Sequence, residues 1–180
     1  MFYLTHQNQL MSYQFSYLDH LEGGQLEKTR PGNMSDSEWN KKREENDKQS
    51  KHFRACDVMT KDTITVDIDD LITDIDKLFS KFQFRHIPVV KDSKICGLIS
   101  DQDIVRYKGD GAYNYLKSAD IMSLLIICAH EDTPIYEISQ VLIREKINAI
   151  PIVNEKAELK GILTTSDVLR LTVENTFLKK

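Results

Sequence analysis

Between positions 69 and 82 the chain reads "DDLITDIDKLFSKF", with apolar residues at Leu71, Ile72, Ile75, Leu78, Phe79 and Phe82. Spacings of three and four place them on one face of a helix, with charged residues opposite. The stretch "TPIYEISQVLIREK" (133–146) repeats the pattern with Ile135, Ile138, Val141 and Leu142. There Thr133 is placed to cap the helix and Pro134 to fill its first position, where a missing N–H is no loss. Each helix is preceded by a short extended piece, "TITV" (63–66) and "LIICA" (125–129). Each is followed by a buried run, "HIPVV" (86–90) and "AIPIV" (149–153), with its proline near the strand start. Polar turns then lead into strands "KICGLIS" (94–100) and "LKGILT" (159–164), and final helices are expected over 100–109 and 165–178.

The order β-α-β-β-α therefore occurs twice. Met59 matches Met122, and "FRHIPVV" (84–90) matches "INAIPIV" (147–153), 63 positions apart. "GLISDQD" (97–103) and "GILTTSD" (161–167) stand 64 apart. The extra residue falls in the polar turns, "KDSK" against "NEKAELK", where an insertion costs little. A unit of about sixty residues buries little surface alone. Two such units sharing a core give an α/β (α+β) fold, packed as a pseudo-twofold pair of mixed sheets. The expected boundaries are 51–112 for the first repeat and 113–180 for the second.

Residues 1–50 follow neither pattern. An aromatic-rich piece, "MSYQFSYLDHLEGG" (11–24), precedes a polar, charged one. Two readings stand: a flexible tail, or an extension that docks through Tyr13, Phe15, Tyr17 and Leu18. "SDSEWNKKREEN" (35–46) reads as a short surface helix, capped by Ser35 or Asp36 and anchored by Trp39.

Composition narrows the function classes. The 180 residues carry 28 acidic and 24 basic side chains, a net charge of −4, so no general attraction to nucleic acid or an anionic membrane is expected. Cys56, Cys96 and Cys128 lie far apart without a CxxC, which argues against a disulfide framework or structural zinc. The longest apolar stretch, "IMSLLIICA" (121–129), is nine residues, against about 20 for a membrane-spanning helix. The N-terminus lacks the basic start and apolar run of a signal peptide. A soluble, cytoplasmic protein without a metal or membrane span is expected. No nucleophile with its base and no GxxxxGK[ST] stretch is present, so catalysis is not expected.

Chemistry concentrates in the duplicated hydroxyl–aspartate motif. Ser100 and Thr164 end strands, and Asp103 and Asp167 follow three residues later. That is capping-box spacing, and the four residues then serve to start two helices. The same geometry suits a ligand. A helix start offers free N–H groups, and a carboxylate beside it has lone pairs for the two hydroxyls of a ribose diol. The glycine of each motif would let backbone pass close to that ligand. Arg106 and Arg170, three positions on, partner the aspartates, reach a phosphate or meet a second subunit.

The motifs "DVMTKDTITV", "RHIPVV" and "GLISDQD", then "DIMS", "NAIPIV" and "GILTTSD", resemble a tandem pair of cystathionine-β-synthase (CBS) domains, the Bateman module, over about 55–176. The resemblance implies a non-catalytic regulatory module with two clefts for adenosine compounds: AMP, ADP or ATP, or S-adenosylmethionine. It assigns the ribose diol to Asp103 and Asp167, with the hydroxyls of Ser100 and Thr164 nearby. It places the adenine beside Ile64, Thr65, Arg85 and His86 in one repeat and Ile127, Cys128, Asn148 and Ala149 in the other. The first set holds Arg85, which offers a phosphate a bidentate contact; the second carries no formal positive charge. Such modules often pair, so a homodimer through the CBS helices is expected, with a separate enzyme or transporter as regulated partner. The rival reading is a structural dimerisation or docking domain with no nucleotide.

Overall fold

The computed structural model describes residues 1–6, 9–18, 35, 37 and 53–177. The helix expected over 35–46 lies outside the described residues except for Ser35 and Ser37. The chain opens with two strands, β1 (Phe2–His6) and β2 (Gln9–Tyr13). A helical turn α1 (Ala55–Val58) precedes the first repeat: β3 (Val66–Asp67), α2 (Ile72–Phe82), β4 (His86–Lys91), β5 (Lys94–Ser100) and α3 (Asp101–Val105). A second turn, α4 (Ser118–Ile121), precedes the second: β6 (Ile126–His130), α5 (Ile135–Arg144), β7 (Ala149–Val153), β8 (Leu159–Thr164) and α6 (Thr165–Phe177).

The apolar periodicity places the long helices as expected. Ile72, Ile75 and Phe79 are buried on α2, and Ile135, Ile138, Val141 and Leu142 on α5. Each fully buried aliphatic of this kind contributes roughly 1.5–3 kcal/mol. Pro134, however, is the cap residue rather than the first helical one, and α5 begins at Ile135. The Thr133 hydroxyl is engaged elsewhere: it donates to the Met1 carbonyl at 2.9 Å and accepts from the Met1 ammonium at 3.1 Å. In each repeat the second strand runs parallel to the first and antiparallel to the third. Asp92 and Ser93, with φ of 50° and 65°, turn β4 into β5, as a two-residue hairpin of right-handed strands requires. The longer β7–β8 turn is held by Asn154, whose Oδ1 accepts from the backbone N–H of Lys156 and of Glu158, both at 3.0 Å. The extra residue of the second repeat is absorbed there.

The two repeats exchange their opening turns. Ala55 N–H donates to Thr133 C=O and Cys56 N–H to Glu131 C=O, both at 2.9 Å, so α1 docks on the second repeat. In return Ser118 N–H donates to Asp70 C=O at 2.8 Å and Ala119 N–H to Ile68 C=O at 3.0 Å. The cores follow the exchange. Ala55, Val58 and Met59 pack with Ile138, Ile150 and Leu163 of the second repeat. Ile121 and Met122 pack with Ile75, Ile87 and Ile99 of the first. Asp57 and Asp120 recur because each accepts from the N–H that opens its turn, Arg54 at 2.9 Å and Lys117 at 2.8 Å.

The same exchange explains the repeated glycines and methionines. A Cβ on Gly161 would lie 2.5 Å from the Thr60 carbonyl and 2.9 Å from Met59 Sδ; one on Gly97 would lie 2.6 Å from Met122 Sδ. Each glycine admits the opening segment of the other repeat. The expectation that it admits a ligand is corrected on this point.

The N-terminal residues dock. Strand β1 pairs antiparallel with β6, and β2 pairs with β1, so the second sheet has the order β2-β1-β6-β7-β8 while the first is β3-β4-β5. Phe2 and Phe15 are buried in the second repeat's core, their rings 5.4 Å apart and edge to face. Tyr17 and Leu18 pack at its margin, while Tyr13 stays exposed with its ring 4.7 Å from that of Phe15. Because β1 satisfies its outer edge, β6 extends over five residues where β3 spans two. Tyr113 ties the linker to the first repeat by donating to Asp76 Oδ2 at 2.7 Å, while Tyr115 is solvent-exposed.

Candidate functional site

Exchange of the opening turns brings loop 60–64 of the first repeat against the end of β8. Thr60 N–H donates to Ile162 C=O at 2.9 Å and Ile162 N–H returns the bond to Thr60 C=O at 3.0 Å. Beside this junction lies a cavity of about 700 Å³, lined from the first repeat by Asp62, Thr63, Ile64, Phe84, Arg85 and His86. The second repeat contributes Asn148, Thr164, Thr165, Ser166, Asp167 and Arg170. The volume falls within the ordinary range of small-molecule sites.

Of the candidate residues, the cavity gathers Ile64, Arg85, His86, Asn148, Thr164 and Asp167. Ile64, Arg85 and His86 come from one repeat, Asn148 and the hydroxyl–aspartate motif from the other. Thr65 is exposed on the strand side of the loop. Ser100 and Asp103 stand at the start of α3, outside this cavity. Ile127 is half-buried in β6 against the second core, and Cys128 and Ala149 are buried. Among these, burial pushes the Cys128 thiol up to about 12, which leaves it a small apolar group. The residues that spacing did not single out are Asp62, Thr63, Thr165 and Ser166. They are polar loop and helix-start positions with no periodic signature, and the only sequence cue was their adjacency to the motifs.

Both motifs form complete capping boxes. Asp167 Oδ2 accepts from Thr164 N–H at 2.9 Å and from Thr164 Oγ1 at 2.7 Å, and Asp167 N–H donates to Thr164 Oγ1 at 3.4 Å. Asp103 and Ser100 make the same three bonds at 2.9, 2.6 and 3.3 Å. The hydroxyl protons are thus committed to the carboxylates, leaving the hydroxyls only acceptor capacity toward a ligand. Capping uses Oδ2 alone. Asp167 Oδ1 lies 3.9 Å from Arg170 Nη1 and Asp103 Oδ1 3.3 Å from Arg106 Nη1, pairs in which the arginine is exposed and the carboxylate largely buried. Oδ1 of Asp167, a residue that lines the cavity, therefore retains lone pairs beyond those the cap uses.

Arg85 and Arg170 bring two guanidinium groups to the cavity and Asp62 and Asp167 two carboxylates. Burial holds the His86 imidazole below its ordinary range, assisted by Arg85 and opposed by Asp101 and Asp103. Its neutral form thus donates at one nitrogen and accepts at the other. Thr165 Oγ1 donates to Asn148 C=O at 3.3 Å, closing the wall between the motif and β7. His130, Glu131 and Asp132 lie elsewhere, with Asp132 paired to Arg54 at 2.8 Å.

A duplicated α/β unit with exchanged opening turns and a cavity lined from both repeats defines a paired module. The sequence model of the CBS domain matches residues 55–110 and 119–174, and the chain belongs to that family. Domains of this family are characteristically non-catalytic and regulatory. The CBS domain pair of protein MJ0100, solved with 5′-methylthioadenosine and S-adenosyl-L-methionine, is 26% identical with a TM-score of 0.64, covering 70% of this chain and 100% of that one. CBSX2 solved with AMP shares the fold at 20% identity and a TM-score of 0.63, covering 68% and 98%. Protein MJ1225 of Methanocaldococcus jannaschii is 28% identical over 126 residues, 63% of this chain and 45% of that protein. Inosine-5′-monophosphate dehydrogenase of the same organism is 28% identical over 118 residues, 65% and 23%. The chain thus spans less than half the length of the curated relatives it matches. Among the described residues, no helix is long and apolar enough to cross a membrane.

Proposed function

We propose that the protein is a regulatory sensor that binds an adenosine nucleotide (AMP, ADP or ATP) in the cavity between its repeats. The carrying observation is that Asp167, whose Oδ1 is free of the capping bonds, lines the same cavity as Arg85 and Arg170. In this reading Asp167 accepts the ribose hydroxyls and Arg85 and Arg170 take the phosphate. Ile64 and Phe84 flank the adenine, and His86 offers it a neutral donor or acceptor. Binding draws loop 60–64 and the start of α6 together and shifts the seam between the repeats. Isothermal calorimetry with AMP, ADP and ATP tests this. Heat from one of them, lost in Asp167→Ala, is expected; folded protein that gives no heat with any of them overturns it.

S-adenosylmethionine is the second reading, favoured by the 26%-identical CBS pair that holds it. Arg85→Ala separates the two. It weakens a phosphate ligand at least about tenfold, the scale of a lost charged hydrogen bond, and leaves a sulfonium ligand unaffected or improved.

The regulated partner is proposed to be a separate enzyme or transporter in the cytoplasm, and the module is proposed to form a homodimer through its helices. Val105 on α3 and Leu169 on α6, 64 positions apart, are both exposed and support pairing of those helices with a second copy. Light scattering checks it: a dimer that becomes monomeric in Val105→Lys/Leu169→Lys is expected.

A further inference from the structure

The pseudo-twofold gives the cavity-lining loop 60–64 a counterpart at 123–127, and the two loops are held differently. In the first, Thr63 N–H donates to Lys61 C=O at 2.7 Å and the Thr63 hydroxyl donates to Thr60 C=O at 2.9 Å, so the loop closes on itself. Their equivalents 63 positions on are Leu124 and Ile126. There the hydroxyl of Thr5, from β1, stands between the two groups. It accepts from Ile126 N–H at 3.3 Å and donates to Leu124 C=O at 3.0 Å. Thr5 is buried, and it buries Ile126 with it, whereas Thr63 remains half-exposed. The same N-terminal segment reaches the opposite wall. Tyr17 OH donates to Glu145 Oε1 at 2.9 Å, and Arg144 sits 4.8 Å over the Tyr17 ring. These residues lead directly into 147–149, the equivalents of 84–86, which line the cavity in the first repeat.

We infer that Thr5 sets loop 123–127 in a shape unlike that of the cavity-lining loop and so confines nucleoside binding to the cavity beside Asp167, one ligand per chain. The inference rests on the adenosine-nucleotide reading and adds to it a stoichiometry and the residue that fixes it. Thr5 touches no ligand; it is a positioning residue. The side-chain chemistry agrees, because the counterpart of Arg85 is Asn148, which carries no charge and already lines the cavity beside Asp167.

Calorimetric titration of the full chain with AMP, in wild type, Asp167→Ala, Asp103→Ala, Thr5→Val and Thr5→Ser, tests it. One site per chain is expected, weakened at least about tenfold in Asp167→Ala, as for a lost charged hydrogen bond, and unchanged in Asp103→Ala. Thr5→Val, which keeps the volume and removes the hydroxyl, gains a second binding event that Asp103→Ala then abolishes; Thr5→Ser keeps one. Two sites in the wild type overturn the inference and leave the nucleotide reading standing; one site lost in Asp103→Ala and kept in Asp167→Ala overturns the inference together with the placement of the nucleotide beside Asp167. A folded Thr5→Val protein that still binds one ligand overturns the role of Thr5. Where AMP gives no heat the series is repeated with ADP and ATP, and no heat from folded protein with any of the three overturns both readings. The wild-type and aspartate arms decide the stoichiometry even where Thr5→Val fails to fold.

Discussion

Gly161 and Thr60 stand so close that a methyl group on the glycine would meet the threonine carbonyl oxygen at 2.5 Å. That carbonyl cannot retreat, because it accepts from Ile162 N–H at 3.0 Å in the bond pair that joins the repeats. Gly161→Ala is expected to destabilise the fold by about 1–3 kcal/mol, the usual scale of overpacking. Gly97→Ala meets the thioether of Met122 first, at 2.6 Å, and then the Ser123 carbonyl at 3.0 Å. A methionine side chain can swing aside, so its loss falls at the lower end. Urea unfolding of the two variants ranks them.

The two aspartates separate capping from binding. Each accepts two hydrogen bonds at the start of its helix, so Asp103→Ala and Asp167→Ala each lower stability by about 1 kcal/mol, the typical value of a lost cap. Only Asp167 lines the cavity, so only Asp167→Ala loses nucleotide affinity. Parallel denaturation and titration give both readouts.

Helices α2 and α5 were legible because an apolar period of 3.6 was intact over each, and the strands of the repeats because short apolar runs stood between turn residues and recurred 63 or 64 positions on. The N-terminal hairpin was not. Phe2 packs in the core with Phe15 and Ile150, and Tyr3 in another cluster with Ile95 and Cys128, so successive residues of β1 are buried and the alternation that marks a half-buried strand is lost. The duplicated motif gave the chemistry of the cavity but not its membership. A repeat period says which residues are equivalent; it does not say that loop 60–64 meets Asp167 rather than Asp103. That pairing follows from the exchange of α1 and α4, four-residue turns too short to leave a periodic trace.

His86 gives the module a pH response. Burial holds its pKa below the ordinary value of 6.5, so the unfolded chain takes up the proton first as pH falls. Its contribution to stability is complete above about pH 6.5, the unfolded value, and is lost as pH falls through the folded value. A phosphate beside Arg85 and His86 favours the protonated ring. Thermal unfolding from pH 8 to pH 5 should show a loss of stability that His86→Gln removes. AMP titrated at pH 6 in buffers of different ionisation enthalpy should show proton uptake.

The N-terminal segment can be followed through a thiol. Cys128 of β6 stands opposite Tyr3 of β1 and is fully buried, with burial raising its pKa to about 12, while Cys56 is half-exposed. At pH 8 a thiol reagent should label Cys56 first and Cys128 only when the hairpin lifts. Phe15→Ala removes the aromatic anchor of the hairpin at a cost of about 3–5 kcal/mol and should speed labelling of Cys128. Mass spectrometry of the labelled peptides reads both rates.

A single repeat expressed alone would carry an opening turn with no groove to receive it and a groove with no turn to fill it. Two such chains could satisfy one another only by associating, at a yield set by their concentration. Joining both in one polypeptide makes that association intramolecular. A small molecule bridging loop 60–64 and α6 then acts on a joint whose assembly does not depend on how much protein is present.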